Sequence, residues 1–215
     1  MQTFRQFTSS YPLKIFDKGQ VILLQGDAPK MVHLIEQGIV KTYTINANGE
    51  ERLVLFSSEG EDFPIGYAFG LTEKSHYFYE AFTKCSVRLI PRDAFVDYLH
   101  ANPESMYKRH ARMVTLLLTT LARIDALEQS RAGDKVARTL LYMADQFGVI
   151  LRPYHARLKI AVTQQQIADS LGITRETTSI ALKKLEVKKL ITHSRKSYVL
   201  YMNRLRAYLG DDKVE

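Results

Sequence analysis

The residues VTQQQIADSLGITRETTSIALKKLEV, at positions 162–187, decide the fold of this chain. Thr163 is a good N-cap for a first helix, and the small Ala168 on the inner face of that helix lets a second helix approach closely. Gly172 can take the left-handed conformation that ends a helix, and Thr174 can cap the next one. Two helices joined by a glycine-containing turn of about four residues are typical of a helix-turn-helix.

The second of these helices is predicted to have two distinct faces. At the helical spacing i, i+3, i+4, i+7, the inner positions are Thr178, Ala181, Leu182 and Leu185. The outer positions are then Arg175, Glu176, Ser179, Ile180, Lys183 and Lys184. The run LITHSRKSYVLY at 190–201 follows, and its two β-rich segments around a polar tip predict a wing.

The beginning of the second helix is the part that reaches base edges in the major groove when such a motif binds DNA. Arg175 can donate two parallel hydrogen bonds to guanine O6 and N7, and Glu176 can accept one from cytosine N4. Ser179 and Ile180 complete the expected base-reading set. Contacts to the DNA backbone, which orient a protein without specifying sequence, are expected from Thr163, Gln164, Gln165, Thr177, Lys183, Arg195 and Lys196.

The net charge of +7 is unevenly spread along the chain. Residues 1–102 carry 10 Lys and Arg against 12 Asp and Glu, whereas residues 103–215 carry 20 against 11. A basic half beside a nearly neutral one predicts a polyanionic partner for the C-terminal part. No run of about 18 apolar residues is present, so we expect no membrane span. The single cysteine, Cys85, fits a reducing cytoplasm.

Residues 1–101 have the pattern of a β-domain. The runs VILLQ, MVHLIE, IVKTYTI and RLVLF are short predicted strands separated by turns that contain glycine. Asn48-Gly49 lies between the last two and is a strong hairpin signal, because both residues tolerate positive φ. Many short strands with regular turns predict a double-stranded β-helix (jelly-roll) barrel, and the fold class of the whole chain is then α+β.

Residues 102–132 predict one long helix, in which Pro103 fits the first position. Its predicted seam, spaced alternately by three and four residues, is Met106, His110, Met113, Leu117, Thr120, Ile124 and Leu127. That spacing is typical of a coiled coil. A barrel of about 90 residues is too small to bury so long and apolar a helix, so we expect a parallel two-fold homodimer. The alternative is a helix packed wholly on its own barrel.

In residues 133–215, Gly133 is expected to break the helix and Asp134 to cap the next.

In order and spacing, these parts resemble the cyclic-AMP receptor protein and fumarate–nitrate regulator superfamily of bacterial transcription factors. Residues 18–63, KGQVILLQGDAPKMVHLIEQGIVKTYTINANGEERLVLFSSEGEDF, are similar to the effector barrel of that family. Residues 162–177 are similar to its helix-turn-helix, and Arg175-Glu176-Thr177 matches its reading motif. The resemblance implies a homodimer that binds a pseudo-palindromic operator in double-stranded DNA and contacts RNA polymerase. Ile180 stands where the cyclic-AMP branch has an arginine. It could pack on a thymine methyl group or fill a gap beneath the wing.

The stretch EDFPIGYAFGLTEKSHYFYEAFT, residues 61–83, lies where the family senses its signal, and it holds seven aromatic rings. Tyr67 stands where the cyclic-AMP branch has the glutamate that holds ribose, and Ser75-His76 stands where that branch has Arg-Ser for the phosphate. Cyclic AMP is therefore disfavoured, because a buried phosphate without a guanidinium is costly. The possible effector pocket is Tyr67, Phe69, His76, Tyr77, Thr120 and Leu121.

No cofactor is predicted. An iron–sulfur cluster needs about four thiolates, and this chain has one cysteine. Haem would have only loose candidate ligands, namely His76, Tyr67 and His33. The aromatic stretch is then either a pocket for an uncharged effector or a filled interior that needs none.

Two rival classes of function can be weighed. The six histidines are scattered, with no His-x-His pair, nucleophile elbow or phosphate loop, so we predict neither a metal site nor an enzyme. An architectural DNA-binding protein with little sequence preference is an alternative, as is a regulator of the same family that senses haem or another small molecule.

Overall fold

The computed structural model describes residues 3–194 and 197–211. The chain divides into two compact units, Met1–Arg112 and Met113–Glu215. Within the described ranges, no helix is long and apolar enough to cross a lipid bilayer. The same ranges contain no group of three or more His, Cys, Asp or Glu side chains that could hold a metal ion.

The strands of the first unit form two antiparallel four-stranded sheets. The first sheet has the spatial order β1 (Leu13–Phe16), β8 (Cys85–Ile90), β3 (Val32–Gln37), β6 (Asp62–Phe63). The second has the order β2 (Val21–Leu23), β7 (Phe78–Ala81), β4 (Val40–Ile45), β5 (Glu51–Ser57). The flanking helices are α1 (Phe4–Ser9), α2 (Ile65–Ala68) and α3 (Arg92–Ala101). Buried side chains of both sheets pack into one cluster, which confirms the jelly-roll prediction, although the two sheets do not close into one barrel.

The hairpin between β4 and β5 shows how the sequence sets the register. Oδ1 of Asn46 accepts hydrogen bonds from the backbone N–H groups of Asn48 at 3.0 Å and Glu50 at 2.9 Å. Gly49 takes a φ of 79°, which a residue with a Cβ rarely adopts. The predicted hairpin is confirmed, with its turn spread over residues 46–50 and Ile45 paired with Glu51.

The long helix α4 spans Pro103–Glu128, 26 residues, and begins at Pro103 as predicted. At 1.5 Å per residue it is about 39 Å long. The C-terminal part of α4 belongs to the second unit, where Nη2 of Arg123 donates to the carbonyl oxygen of Ser170 at 3.2 Å. The three-part domain division of the sequence stays a prediction, since the compact units separate between Arg112 and Met113.

The rest of the second unit combines four helices with a small sheet. The helices are α5 (Ala132–Phe147), α6 (Gln164–Leu171), α7 (Arg175–Val187) and α8 (Met202–Leu209). The strands, in the spatial order of the antiparallel sheet, are β11 (Ile191–Ser194), β12 (Ser197–Tyr201), β10 (His155–Leu158) and β9 (Gly148–Arg152).

One predicted helix boundary is wrong. Helix α5 begins at Ala132, and its N-cap residue is Arg131. Gly133, which was expected to break the preceding helix, therefore lies inside α5, and Asp134 lies in its first turn instead of at the cap. The carboxylate of Asp134 accepts a hydrogen bond from the hydroxyl of Tyr208 at 2.8 Å. An acidic side chain in the first turn interacts favourably with the helix dipole, and the hydrogen bond from Tyr208 connects this turn to α8.

Candidate nucleic-acid interface

Helix α6 is fixed at both ends by the residues that the sequence indicated. Oγ1 of Thr163 accepts the N–H of Gln166 at 3.2 Å, and Oε1 of Gln166 accepts the N–H of Thr163 at 2.9 Å. This reciprocal pair is a capping box, which satisfies two N–H groups that the helix cannot. Gly172 ends the helix with a φ of 64°. The residues predicted for the inner face are all buried: Ile167, Ala168 and Leu171.

Helix α7 starts after a second side-chain cap. Oγ1 of Thr174 accepts the N–H of Thr177 at 3.1 Å, and the hydroxyl of Thr178 donates to the carbonyl oxygen of Thr174, also at 3.1 Å. The predicted inner residues are again all buried: Thr178, Ala181, Leu182 and Leu185. The caps and the buried face together fix the direction in which the first turn of α7 points its outer side chains.

The outward face of α7 is polar, with one apolar side chain. Its exposed residues include the four predicted base readers and a lysine: Arg175, Glu176, Ser179, Ile180 and Lys183. Among the described residues of the second unit, the ion pairs belong to Arg138, His193 and Arg206 and their acidic partners. The charges of Arg175, Glu176 and Lys183 are therefore available to a ligand.

Ile180 leaves 58% of its surface exposed. It does not fill a gap beneath the wing, which was one of the two interpretations of this residue. An isolated exposed apolar side chain among polar ones can contact a thymine methyl group in the major groove.

Four of the predicted backbone-contacting residues, Thr163, Gln164, Gln165 and Thr177, lie at the starts of the two helices, and Lys183 is exposed in the second half of α7. The hydroxyls of Thr163 and Thr177 are engaged in the caps, and Nε2 of Gln165 donates to Oδ1 of Asp169 at 2.7 Å. Gln164 is half-buried. Arg195 and Lys196 lie outside the described residues. The backbone roles of this group stay predictions, and the N–H groups at a helix N-terminus can bind a phosphate as well.

The wing is attached to α7 by a contact that the sequence did not reveal. Oε1 of Glu186, near the end of α7, accepts the backbone N–H of His193 at 3.1 Å and lies 2.7 Å from Nδ1 of the same residue. The His193 ring stacks on Tyr198 with 5.5 Å between centroids, which joins β11 to β12. Burial raises the pKa of Tyr198 to about 12. The carboxylate of Glu186 thus attaches the wing to the end of α7, and the ring stack holds the two strands of the wing together.

Helix α4 exposes a stripe of apolar side chains over about four turns. The members of this apolar stripe are Met113, Val114, Leu117, Leu118, Leu121, Ile124 and Leu127. An exposed apolar area of this extent is typical of an interaction surface. Thr120 and Leu121, named above as possible pocket residues, are exposed on the same helix, and the hydroxyl of Thr120 donates to the carbonyl oxygen of Leu116 at 2.8 Å.

The rings of residues 61–83 do not gather in one place. Phe63 stacks between His33 and Tyr79, at centroid distances of 5.1 and 4.7 Å. Tyr77 packs against the same core cluster, whereas Tyr67 and Phe69 pack against a second one.

Two further rings of the stretch pair with rings of other strands. Phe78 stacks on Tyr43, and Phe82 packs on Phe56. His76 is exposed. Its ring contacts that of Tyr77 edge-on, with 6.4 Å between centroids. Of the possible pocket residues in the first unit, His76 and Tyr77 thus lie together, and Tyr67 and Phe69 pack elsewhere.

His33 is the buried polar member of this stack. Its Nδ1 has no hydrogen-bond partner among the described residues. Desolvation by burial lowers the pKa of His33 to about 4, so the ring is neutral at pH 7. A neutral ring stacked on Phe63 behaves as part of the aromatic interior.

Two arginines of α4 clamp the turn that precedes β6. Nη1 of Arg109 donates to the carbonyl oxygen of Gly60 at 2.8 Å and to the carboxylate of Asp62, and its guanidinium lies 4.5 Å from the centroid of Phe4. A Cβ at Gly60 would lie 2.5 Å from Nη2 of Arg112, so the second guanidinium sits on the glycine backbone. Burial raises the pKa of Asp62 and lowers the pKa of Arg109, because it disfavours the charged form of each side chain. The opposite charge of the partner acts against both shifts. The sequence pattern shows only that Arg109 and Arg112 lie off the predicted seam, and their contacts with Gly60 and Asp62 were not predicted.

Two family models match the chain. The model described as a cyclic nucleotide-binding domain matches residues 13–102, and the model described as a Crp-like helix-turn-helix domain matches residues 134–208. The chain is also 30% identical over 196 residues to the HTH-type transcriptional regulator ArcR of Staphylococcus haemolyticus, a match that covers 90% of this chain and 85% of that protein.

A second relative and one solved structure extend the comparison. The chain is 25% identical over 202 residues to the cAMP-activated global transcriptional regulator CRP of Escherichia coli O6:H1, and the match covers 94% of this chain and 95% of that protein. The structure of a CooA mutant from Carboxydothermus hydrogenoformans has a similar fold, with a TM-score of 0.77 at 18% identity. It covers 94% of this chain and 89% of that one. Both matches extend over both units of the chain.

Proposed function

The chain belongs to the cyclic-AMP receptor protein and fumarate–nitrate regulator superfamily of transcription regulators, and on that premise we propose that it binds a pseudo-palindromic DNA operator as a homodimer. The observation that carries the proposal is the outward face of α7, where Arg175, Glu176 and Lys183 are exposed and form no ion pair with a described residue. The two threonine caps hold this face in one direction, as base reading requires.

The dimer part of the proposal is supported by the apolar stripe of α4. A second copy of the same helix covers such a stripe by pairing like with like about a two-fold axis. Two recognition helices related by that axis read successive major grooves, about 34 Å apart along the duplex. The operator we propose therefore has two inverted half-sites with centres about 10–10.5 base pairs apart.

The base-reading roles follow from the side chains on α7. We assign guanine recognition to Arg175 and cytosine recognition to Glu176, with Ser179 beside them. Ile180 is assigned to a thymine methyl group, because its side chain is exposed and cannot donate a hydrogen bond to guanine. Thr163, Gln164, Gln165, Thr177, Lys183, Arg195 and Lys196 are the proposed backbone contacts.

We propose further that cyclic AMP is not the effector of this chain and that the chain carries no cofactor. The support is chemical: Tyr67 and Ser75-His76 stand where the cyclic-AMP branch places its glutamate and arginine. The packing of the rings in 61–83 supports an interior that is already filled. Haem or another small molecule is the alternative, and an absorption spectrum with native mass spectrometry of the purified protein distinguishes these cases.

RNA polymerase is the proposed protein partner. The β9–β10 hairpin exposes Ile150, Leu151 and Tyr154 beside the cation of Arg152. An apolar patch of this kind is suited to a protein partner. We place the chain in the cytoplasm with its DNA target.

Selection of duplexes from a random library tests the proposal directly. The protein is expected to enrich inverted repeats with guanine and cytosine at fixed positions in each half-site, and native mass spectrometry is expected to find two protomers on one duplex. Enrichment of no sequence, or one protomer on each duplex, contradicts it. The substitution Leu118→Glu places a charge in the apolar stripe and is expected to yield monomers that bind the operator weakly, whereas Lys84→Glu, at an exposed lysine of the first unit, leaves the dimer intact.

A further inference from the structure

An open groove of about 470 Å³ lies beside the wing in the second unit. Two cations, Arg157 and Lys159, line it, and the hydroxyls of Ser194 and Ser197 lie at its edge. None of the described residues that line this groove is acidic. Cations and hydroxyls without a carboxylate are the side chains that bind phosphate oxygens.

Both cations are exposed and line the same groove. Arg157 lies in β10 and Lys159 follows directly after the end of that strand, with the buried Leu158 between them. Strand β10 pairs with β12 of the wing, with Arg157 opposite Val199. Neither cation forms an ion pair with a described residue, so a ligand would not have to displace an acidic partner.

The groove connects two elements that we have already proposed to touch the DNA backbone. One end is formed by Ser194 and Ser197, the residues of β11 and β12 nearest the wing tip. The other reaches Ala161, two residues before Thr163, the N-cap of α6. A phosphate backbone that contacts both elements would pass over the cations between them.

We propose that Arg157 and Lys159 bind phosphates of duplex DNA and form a backbone-binding track from the start of α6 to the wing. The inference rests on the proposed function and adds two residues that neither the helix-turn-helix pattern nor the wing indicated. Phosphate contacts carry no sequence information, so the track raises affinity for operator and random DNA alike. The alternative ligand for these two cations is an acidic surface of another protein.

The salt dependence of DNA binding tests the track. Each phosphate neutralised contributes about 0.9 to the slope of log Kd against log salt. For the dimer, the double variant Arg157→Gln/Lys159→Gln is expected to lower that slope by about 3.6 and to weaken binding to operator and random duplexes by the same factor. The control variant Arg5→Gln/Lys30→Gln removes two exposed cations of the first unit and is expected to leave the slope unchanged. A slope in the double variant equal to that of the control overturns the inference and favours a protein partner.

A measurement on the wild-type protein tests the proposed track in a second way. Acylation of lysines with and without operator DNA is expected to show protection of Lys159 and none of Lys30. Equal labelling of Lys159 in both samples contradicts the track. If wild-type protein enriches no operator at all, the proposed function fails, whereas normal operator binding with an unprotected Lys159 and an unchanged slope removes only the track.

Discussion

Helix α7 and the aromatic stretch 61–83 present their distinctive side chains in opposite ways. The charged residues on the outer face of α7 are exposed and form no ion pair with a described residue, while most of the rings of the stretch pack against other rings or core clusters. The surface that we propose to read DNA is thus exposed in the folded chain, whereas the aromatic stretch is built like a core. Substitutions in the stretch should therefore change stability, and substitutions on α7 should change DNA affinity alone.

The largest expected effect concerns Asp62, at the start of the aromatic stretch. Arg109→Met leaves its carboxylate buried without the partner guanidinium, and the free energy of unfolding in urea is expected to fall by about 3–5 kcal/mol. The double variant Arg109→Met/Asp62→Leu should recover most of that loss, because no charge then remains buried. Lys108→Met serves as the control. Lys108 lies next to Arg109 in the sequence, and its ion pair with Glu104 is exposed, so its loss should lower the free energy of unfolding far less. Equal losses in Arg109→Met and Lys108→Met would contradict the buried clamp.

The second effect concerns the neutral ring of His33. Burial lowers the pKa of His33 in the folded chain to about 4, below the ordinary histidine pKa of about 6.5. The unfolded chain therefore binds more protons than the folded one between these two pH values. Stability conferred by the neutral ring is therefore present above pH 6.5 and is lost as the pH falls towards 4.

His33→Phe keeps the ring stack and removes the titration. Relative to this variant, the wild-type protein is expected to lose about 2.5 kcal/mol of unfolding free energy between pH 7 and pH 4.5. His76→Phe changes an exposed histidine of the same region and serves as the matched control. Parallel profiles for wild type and His33→Phe would mean that His33 is not buried in a neutral form.

On the outer face of α7, we expect a substitution to change DNA affinity and not stability. Arg175→Ala is expected to weaken operator binding by about 1–3 kcal/mol for each half-site, because two hydrogen bonds to guanine are lost, while thermal unfolding is unchanged. Arg5→Ala removes an exposed arginine of the first unit and should have the affinity of the wild type. A loss of stability in Arg175→Ala that matches its loss of affinity would erase the contrast between the two regions.

The smallest expected effect is at Ile180. Truncation to alanine removes the proposed contact with a thymine methyl group and should reduce the preference for thymine at one position of each half-site by about 1 kcal/mol. Val187→Ala is the matched control, because Val187 is the other strongly exposed apolar side chain of α7 and lies at its far end. Operator selection with both variants measures the difference, and an unchanged preference in Ile180→Ala removes Ile180 from the base-reading set.

The helix-turn-helix could be predicted from the sequence because its determinants are local. The caps at Thr163 and Thr174, the left-handed Gly172 and the buried inner positions each depend on residues within about one turn of helix, and all are confirmed. The β4–β5 hairpin was predicted for the same reason, since its turn is determined by neighbouring residues.

Contacts between distant residues were not predictable in this way. Arg109 and Asp62 are 47 positions apart, and the sequence pattern showed only that Arg109 lies off the seam. The distribution of the rings of 61–83 over separate clusters depends on Phe7, Tyr43 and Phe56, which lie in other elements. The start of α5 was misplaced because the contact between Asp134 and Tyr208 joins residues 74 positions apart.

The central claim is that this chain recognises a specific operator through the exposed face of α7. The most direct test is the ratio of its affinities for the selected operator and for random duplex DNA, measured at one salt concentration. The account predicts a ratio of about 10³ or more, which collapses in the variant Arg175→Ala/Glu176→Ala. A ratio near one, with a steep salt dependence for both duplexes, would contradict it and indicate an architectural DNA-binding protein.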